Sequence, residues 1–277
     1  LSGAPVSFRL ILAHTGAPES RALDWRLTAQ DGSEYASGVL PIPVWPPAGP
    51  PAEIASLELT LPPVTQPTAL TLEAAIAGVT ANRWPLWVYP AVSLDFPGVA
   101  ARDPAGQFGG RWPEWAVGGP APELLIAGVY DAAVESFARQ GGRVILLQPD
   151  GGGRLAPQPL TFWREAINLL ADHPVLRRFP HQGHTDLQFY HLAADHAYDA
   201  SALGALTPVP VIRRLDARLF TVRDYLLELQ PDAGRMLAST LHFFGGAGDQ
   251  VRRLDDKPAA QFLLHEMMVW LLGAGRD

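Results

Sequence analysis

The chain has 277 residues, of which 48% are hydrophobic and 18% are charged, and its mean hydropathy is +0.06. This composition supports a large buried core and is not that of a disordered chain. The formal charge of −7 and the pI of about 5.6 argue against a nucleic-acid-binding surface, which requires a basic face.

The chain has no cysteine, which excludes disulfides, thiolate zinc sites and cysteine nucleophiles and leaves the cellular compartment open. No apolar run approaches the roughly 18 residues of a membrane-spanning helix, so we predict no membrane span. Lys257 is the only lysine, and the polar run around it predicts an exposed side chain. The start at Leu1-Ser2-Gly3, without a methionine or a signal pattern, predicts a fragment of a longer polypeptide.

Residues 1–90 predict an immunoglobulin-like β-sandwich. Apolar residues alternate with less apolar ones, which is the period of half-buried strands, in runs that begin at Val6, Leu23, Leu57 and Leu70. Short strands at regular spacing with turn residues between them are typical of such a sandwich. The alternative is an irregular β-rich lobe.

Residues 91–277 predict a flavodoxin-like α/β domain. The segment 97–122, rich in Gly, Pro and Trp, is expected to be a linker or a long surface loop. An apolar run at 124–129, a helix capped by Asp131 and a second apolar run at 144–147 predict a βαβ unit within an open α/β sheet. Further strands are predicted at 209–215, 219–229 and 235–240, and a closing helix at 258–272.

Three phrases carry a resemblance to a known family: Asn-Arg-Trp-Pro-Leu-Trp-Val-Tyr-Pro at 82–90, His-Pro-Val-Leu-Arg-Arg-Phe-Pro at 173–180, and Gly-His-Thr-Asp-Leu-Gln-Phe at 183–189. They resemble the C-terminal region of bacterial glycoside hydrolase family 2 proteins of the sugar-binding type. In that family the first phrase closes an immunoglobulin-like domain, and a flavodoxin-like domain similar to class I glutamine amidotransferases follows. The resemblance implies an upstream catalytic (β/α)8 barrel and an upstream jelly-roll-like sugar-binding domain, both partners within one polypeptide.

Two departures limit what the resemblance implies. An active amidotransferase-type domain needs a cysteine nucleophile at a strand-to-helix turn, and this chain has no cysteine. A family 2 hydrolase acts through two glutamates at the mouth of its barrel, and the two predicted domains leave no room for a barrel. The resemblance therefore implies a non-catalytic accessory region with a structural, subunit-contact or weak carbohydrate-binding role. Carbohydrate and a second copy of the chain are its candidate partners, and no cofactor or resident metal is predicted.

Five of the eight histidines lie between residues 173 and 199, together with Asp186, Asp195 and Asp199, and Asp172 directly precedes the stretch. His181, His184 and Asp186 are close enough in sequence to ligate a divalent metal or to form a His–Asp pair for proton transfer. They are the candidate catalytic residues of the alternative function, a metal- or histidine-dependent hydrolase. The favoured interpretation is that this segment covers the edge of the sheet and that its polar side chains bond backbone groups or face water.

Five tryptophans are candidates for stacking on sugar rings, because an aromatic face matches the apolar face of a pyranose. They are Trp84, Trp87, Trp112, Trp115 and Trp163. Trp112 and Trp115 lie in the Gly- and Pro-rich segment, so they are predicted to be exposed and are the candidate carbohydrate-binding residues. The alternative is that they anchor the loop.

Overall fold

The computed structural model describes residues 1–16, 20–160, 166–245 and 253–273. Across these residues the chain is a mixed α and β protein with far more strand than helix. It divides into two compact units, Leu1–Ala91 (unit 1) and Val92–Asp277 (unit 2). None of the described helices combines the length and the apolarity that crossing a membrane demands.

Unit 1 is built from two antiparallel sheets that share one hydrophobic core. β1 pairs with β4, and the second sheet has the order β3-β2-β5-β6. Alternate residues such as Leu10, Leu27 and Leu72 face that core, as the period-2 runs predict. The strands are β1 (Pro5–Leu12), β2 (Ala22–Ala29), β3 (Glu34–Pro41), β4 (Ala52–Thr60), β5 (Thr68–Ile76) and β6 (Thr80–Val88).

The four strands predicted from apolar runs in unit 1 are confirmed as β1, β2, β4 and β5. The sequence analysis did not predict β3, which lies at the edge of its sheet and contains no buried residue. An edge strand without buried positions has no strong apolar alternation, so its pattern is weak.

Unit 2 contains nine strands and two α-helices among its described residues. They are β7 (Val99–Arg102), β8 (Leu124–Ala127), α1 (Ala132–Arg139), β9 (Arg143–Leu147), β10 (Gln158–Pro159), β11 (Ala166–Leu170), β12 (His196–Ala197), β13 (Val209–Asp216), β14 (Thr221–Leu229), β15 (Arg235–Ser239) and α2 (Pro258–Gly273). Short 3-10 helices lie at Pro174–Leu176, Leu187–Phe189, Ala200–Leu206 and Leu254–Asp256.

Seven of these strands form one mixed sheet with the order β11-β13-β14-β15-β9-β8-β7. The strands from β15 to β7 run parallel, and those from β11 to β15 run antiparallel. Leu147 and Ser239 are paired at the ends of β9 and β15. The carboxyl ends of these two parallel strands therefore lie side by side, where open α/β sheets place their ligands.

The sheet is packed between α1 and α2. Val134, Phe137 and Ala138 of α1 join the core on one face. α2 contacts β8, β9 and β15, and half of its residues are buried. Buried strands covered on both faces account for the near-continuous apolar runs of β8 and β9.

The predicted βαβ unit is confirmed. The Asp131 carboxylate accepts the N–H groups of Ala133 and Val134, both at 3.0 Å, and so caps α1. Gly141, which follows the helix, has a φ of +96° that a side chain would strain. The later strands β13, β14 and β15 and the closing helix α2 also agree with their predictions.

The prediction of a linker or a long surface loop at 97–122 is wrong for residues 99–102, which form β7, whereas residues 103–122 lie outside the helices and strands. β7 pairs in parallel with β8 and buries Val99 and Ala101. A strand of four residues that includes two alanines is too short to show a sustained period, so the glycines and prolines after it dominated the prediction. The short strands β10, β11 and β12 were not predicted either.

Candidate functional site

His181, His184 and Asp186 lie in a segment that runs along the edge strand β11. The N–H of Thr185 donates to the Asn168 carbonyl at 3.0 Å, and the N–H of Leu170 donates to the Gly183 carbonyl at 2.9 Å. These bonds cover the edge of the seven-stranded sheet, as the favoured interpretation of this segment describes. We call residues 181–186 the edge segment.

The polar side chains of the edge segment bond to nearby backbone. His181 Nδ1 accepts the N–H of Gly183 at 3.1 Å, and His184 Nδ1 lies 3.2 Å from the Gln182 carbonyl. The Asp186 carboxylate accepts the N–H of Gln188 at 3.0 Å and caps a 3-10 helix. In the described ranges these three residues do not form a group of ligand atoms close enough to share one metal ion.

The prediction that Trp112 and Trp115 are an exposed pair is wrong. Trp112 is only 5% exposed, and its indole N–H donates to the Leu94 carbonyl at 3.1 Å. Trp115 is half-buried and packs against Phe137, with their ring centres 5.3 Å apart. Both rings anchor the segment that carries them, because Gly and Pro supply little apolar surface for that purpose. Trp163 lies outside the described residues.

A different set of histidines and aspartates converges at the carboxyl ends of β9 and β15. Asp150 follows β9, His242 follows β15, and Asp195 and His196 arrive on the segment that forms β12. One ligand atom from each of Asp150, Asp195 and His196 lies within 4.8 Å of the other two. We call these four residues the strand-end cluster.

His242 closes the buried side of the strand-end cluster. Its Nε2 lies 3.8 Å from Asp195 Oδ1, and the residue is only 8% exposed. That nitrogen is buried and has no hydrogen-bond partner in the described structure. His196 Nδ1 lies 2.9 Å from Asp195 Oδ1, so both imidazoles approach the same carboxylate oxygen.

The backbone around His242 is held on two sides. Its N–H donates to the Leu192 carbonyl at 3.2 Å, and its carbonyl accepts the Lys257 ammonium at 2.7 Å. Lys257 also donates to the Gly245 carbonyl and is only 3% exposed, so the prediction of an exposed lysine is wrong. The ammonium is buried because two carbonyl acceptors replace its water.

Burial and hydrogen bonding shift the pKa values of His242 and Asp195 in the strand-end cluster. Burial lowers the pKa of His242 below its ordinary value, although the Asp195 carboxylate opposes that shift. His242 is therefore neutral at pH 7, the form in which imidazole binds metals. Burial alone would raise the pKa of Asp195, but the hydrogen bond with His196, the charge of His196 and smaller contributions together lower that pKa below its usual value. Asp195 is therefore ionised.

The strand-end cluster was missed by the sequence analysis, although two signals for it exist. Asp150 and His242 each follow a predicted strand by a few residues, and Asp195 and His196 are adjacent within the histidine-rich stretch. What the sequence does not contain is the pairing of β9 with β15, which are separated by about ninety residues. Without that pairing nothing connects Asp150 to His242.

Unit 1 carries a groove of about 810 Å³ on the outer face of its four-stranded sheet. Glu73 is among the residues that line it and forms ion pairs with Arg26 and Arg83. Each of these three groups is engaged in an ion pair within the groove lining. Surface ion pairs of this kind also contribute little to stability.

Unit 1 matches a family model. Residues 5–90 match the family model of a domain of unknown function, DUF8488, and the match includes all six strands of unit 1. No curated protein matches the chain.

Proposed function

We propose that the chain is a non-catalytic accessory region of a larger glycoside hydrolase resembling family 2. In this proposal unit 1 is an immunoglobulin-like sandwich and unit 2 is a flavodoxin-like, amidotransferase-like domain. The family phrase at 82–90 supports it, because this phrase includes most of β6 and ends next to the boundary between the units at Ala91.

One observation carries the non-catalytic part of the proposal. Amidotransferase-type catalysis requires a nucleophile at a sharp turn from a strand to a helix, and among the described residues only β8 leads by such a turn into an α-helix, α1. Tyr130 and Asp131 occupy the end of this turn. The Asp131 carboxylate caps α1 and binds Arg102 at 3.0 Å, so it is already engaged.

The accessory role consists of contacts rather than chemistry. The expected partners are the upstream catalytic and sugar-binding domains of the same polypeptide, a second copy of the chain, and carbohydrate bound weakly. The buried position of Trp112 removes one of the two rings first considered for sugar stacking. Structural and subunit contacts are therefore favoured over sugar binding.

Two assays test the accessory role. The purified chain is expected to show no turnover of aryl glycosides and no glutamine hydrolysis. An antibody against the chain is expected to detect, in the source cells, a polypeptide several times larger that precipitates together with glycosidase activity. Glycoside or glutamine turnover by the chain alone, or a native polypeptide near 30 kDa, would overturn the proposal.

A second candidate function is a metal- or histidine-dependent hydrolase, which the strand-end cluster favours. Its groups would be Asp150, Asp195, His196 and His242 rather than His181, His184 and Asp186. A panel of ester, amide and phosphate substrates tests it, with and without added Zn²⁺. Turnover that disappears in Asp195→Asn supports the hydrolase, and turnover that persists in this variant contradicts it.

A further inference from the structure

The strand-end cluster contains the donor atoms that a divalent transition metal requires. Carboxylate oxygens and neutral imidazole nitrogens are ordinary ligands of zinc and of related metals. Asp150, Asp195 and His196 place one such atom each within 4.8 Å of the others. Atoms bound to one zinc at about 2.0–2.2 Å lie no more than ~4 Å apart, so only small side-chain adjustments are needed.

His242 provides an independent sign that something binds in the cluster. A buried polar atom without a partner costs free energy, so each one in a native structure calls for an explanation. His242 Nε2 is such an atom, and it points into the cluster, 3.8 Å from Asp195 Oδ1. A cation between His242 and the two carboxylates would satisfy this nitrogen.

The charges in the cluster favour a cation. Asp150 and Asp195 place two carboxylates next to each other, and ring nitrogens of His196 and His242 lie 2.9 Å and 3.8 Å from Asp195 Oδ1. A divalent ion would balance the two negative charges. The mixture of imidazole and carboxylate favours Zn²⁺ over Mg²⁺, which prefers oxygen ligands alone.

We propose that the strand-end cluster binds one divalent transition metal ion, with Zn²⁺ as its representative. Asp150, Asp195, His196 and His242 are the ligands. Asp150 and Asp195 are exposed and His242 is buried, so His242 binds the ion from the protein interior and the aspartate side of the ion faces solvent. The proposal goes beyond the accessory role and does not depend on it.

Zinc titration of the purified chain tests this proposal by calorimetry. The metal is first removed with a chelator and the chelator by dialysis. The wild-type chain is expected to bind one Zn²⁺ per chain. The double variant Asp150→Asn/Asp195→Asn keeps the shape of both side chains and removes both charges, and it is expected to lose about 100-fold or more in affinity. Mg²⁺ in excess is not expected to displace the bound Zn²⁺.

The edge segment offers a matched control. His181→Ala/His184→Ala removes two histidines from the same stretch of sequence and is expected to leave zinc affinity unchanged. A wild-type chain that binds no zinc, or a control variant as weak as the double aspartate variant, would overturn the proposal. Neither outcome alters the turnover and size assays of the accessory role, so the two proposals fail separately.

Co²⁺ in place of Zn²⁺ tests the ligand set itself. The visible absorption of bound Co²⁺ depends on which atoms coordinate it, so His242→Ala is expected to change the spectrum as well as the affinity. An unchanged spectrum would exclude His242 from coordination and remove the observation on which the proposal rests. Circular dichroism shows whether each variant keeps its secondary structure.

Discussion

Two groups of histidine and aspartate in unit 2 differ in what their side chains bond. In the edge segment, His181, His184 and Asp186 lie within six residues and each bonds to backbone near it in the chain. In the strand-end cluster, three separate chain segments meet, and His242 Nε2 remains buried without a partner in the described structure. The edge segment covers the edge of the sheet. The strand-end cluster leaves His242 Nε2 available to a ligand.

The difference has a local physical cause. Short polar side chains in a turn readily bond to backbone groups two residues away, so neighbours in the chain tend to satisfy one another. In the strand-end cluster Asp195 and His196 bond each other, but the Nε2 of His242, which strand pairing brings there, has no such local partner in the described structure. The dense run of histidines contributes only His196 to the cluster, and the second histidine, His242, follows β15.

Gly234→Ala is expected to break the strand-end cluster most severely. A Cβ at Gly234 would lie 1.9 Å from the Ala138 carbonyl oxygen and 2.8 Å from that of Gly142. Both contacts are backbone, so β15 must shift away from α1, at a cost of about 3 kcal/mol. Urea unfolding measures the loss of stability, and zinc titration is expected to show weakened binding because β15 leads to His242.

Gly204→Ala is the matched control for this steric argument. A Cβ at Gly204 meets no atom within 4 Å. Its effect on the free energy of unfolding is expected to stay within ~0.5 kcal/mol. Equal destabilisation by the two variants would show that the clash at Ala138 does not govern the effect of Gly234→Ala.

His242→Leu separates stability from binding. The leucine removes the unpartnered buried nitrogen, so the metal-free chain is expected to gain about 1 kcal/mol in the free energy of unfolding. The wild-type chain is expected to gain stability on adding zinc, whereas the variant is not. Thermal unfolding with and without zinc checks both statements. A metal-free variant less stable than wild type would show that the ring already contributes favourable contacts.

Asp186→Ala tests the edge segment by the same two quantities, the stability of the chain and its zinc affinity. Its carboxylate accepts the backbone N–H and the side-chain amide of Gln188, both at 3.0 Å. Losing this cap is expected to cost about 1 kcal/mol, with zinc affinity unchanged. Asp186→Asn retains an acceptor and is expected to lose less. If zinc affinity fell together with stability, the two groups would not be independent.

Local patterns predicted much of this fold, and pairing between distant segments set the rest. The runs that became β8, β9 and β13, and the cap at Asp131, were readable because each depends on a few neighbouring residues. β7 and β11 were not, because a short strand gains its stability from partners elsewhere in the chain. The same limit hid the strand-end cluster. Each residue of the cluster can be identified in the sequence, but their closeness in space depends on the parallel pairing of β9 with β15.

The smallest predicted effect is a change of stability with pH that depends on Asp131. The carboxylate of Asp131, like that of Asp186, accepts backbone N–H groups. Burial alone would raise the pKa of Asp131, but the N–H groups of Val134 and Ala133 and the Arg102 guanidinium outweigh it and lower that pKa. The folded pKa then lies below the unfolded value of about 3.9, so the carboxylate stabilises the chain above that pH. This contribution is lost as the pH falls through the folded pKa.

Asp131→Asn isolates that contribution, because the amide oxygen still caps α1 while the charge is removed. At pH 7 the variant is expected to be less stable than wild type by less than about 1 kcal/mol. The difference is expected to shrink as the pH is lowered below about 4, where the wild-type carboxylate becomes protonated. Urea unfolding between neutral and acid pH measures it. A difference that stayed constant with pH would show that Asp131 acts only as a hydrogen-bond acceptor, as Asp186 does in the edge segment.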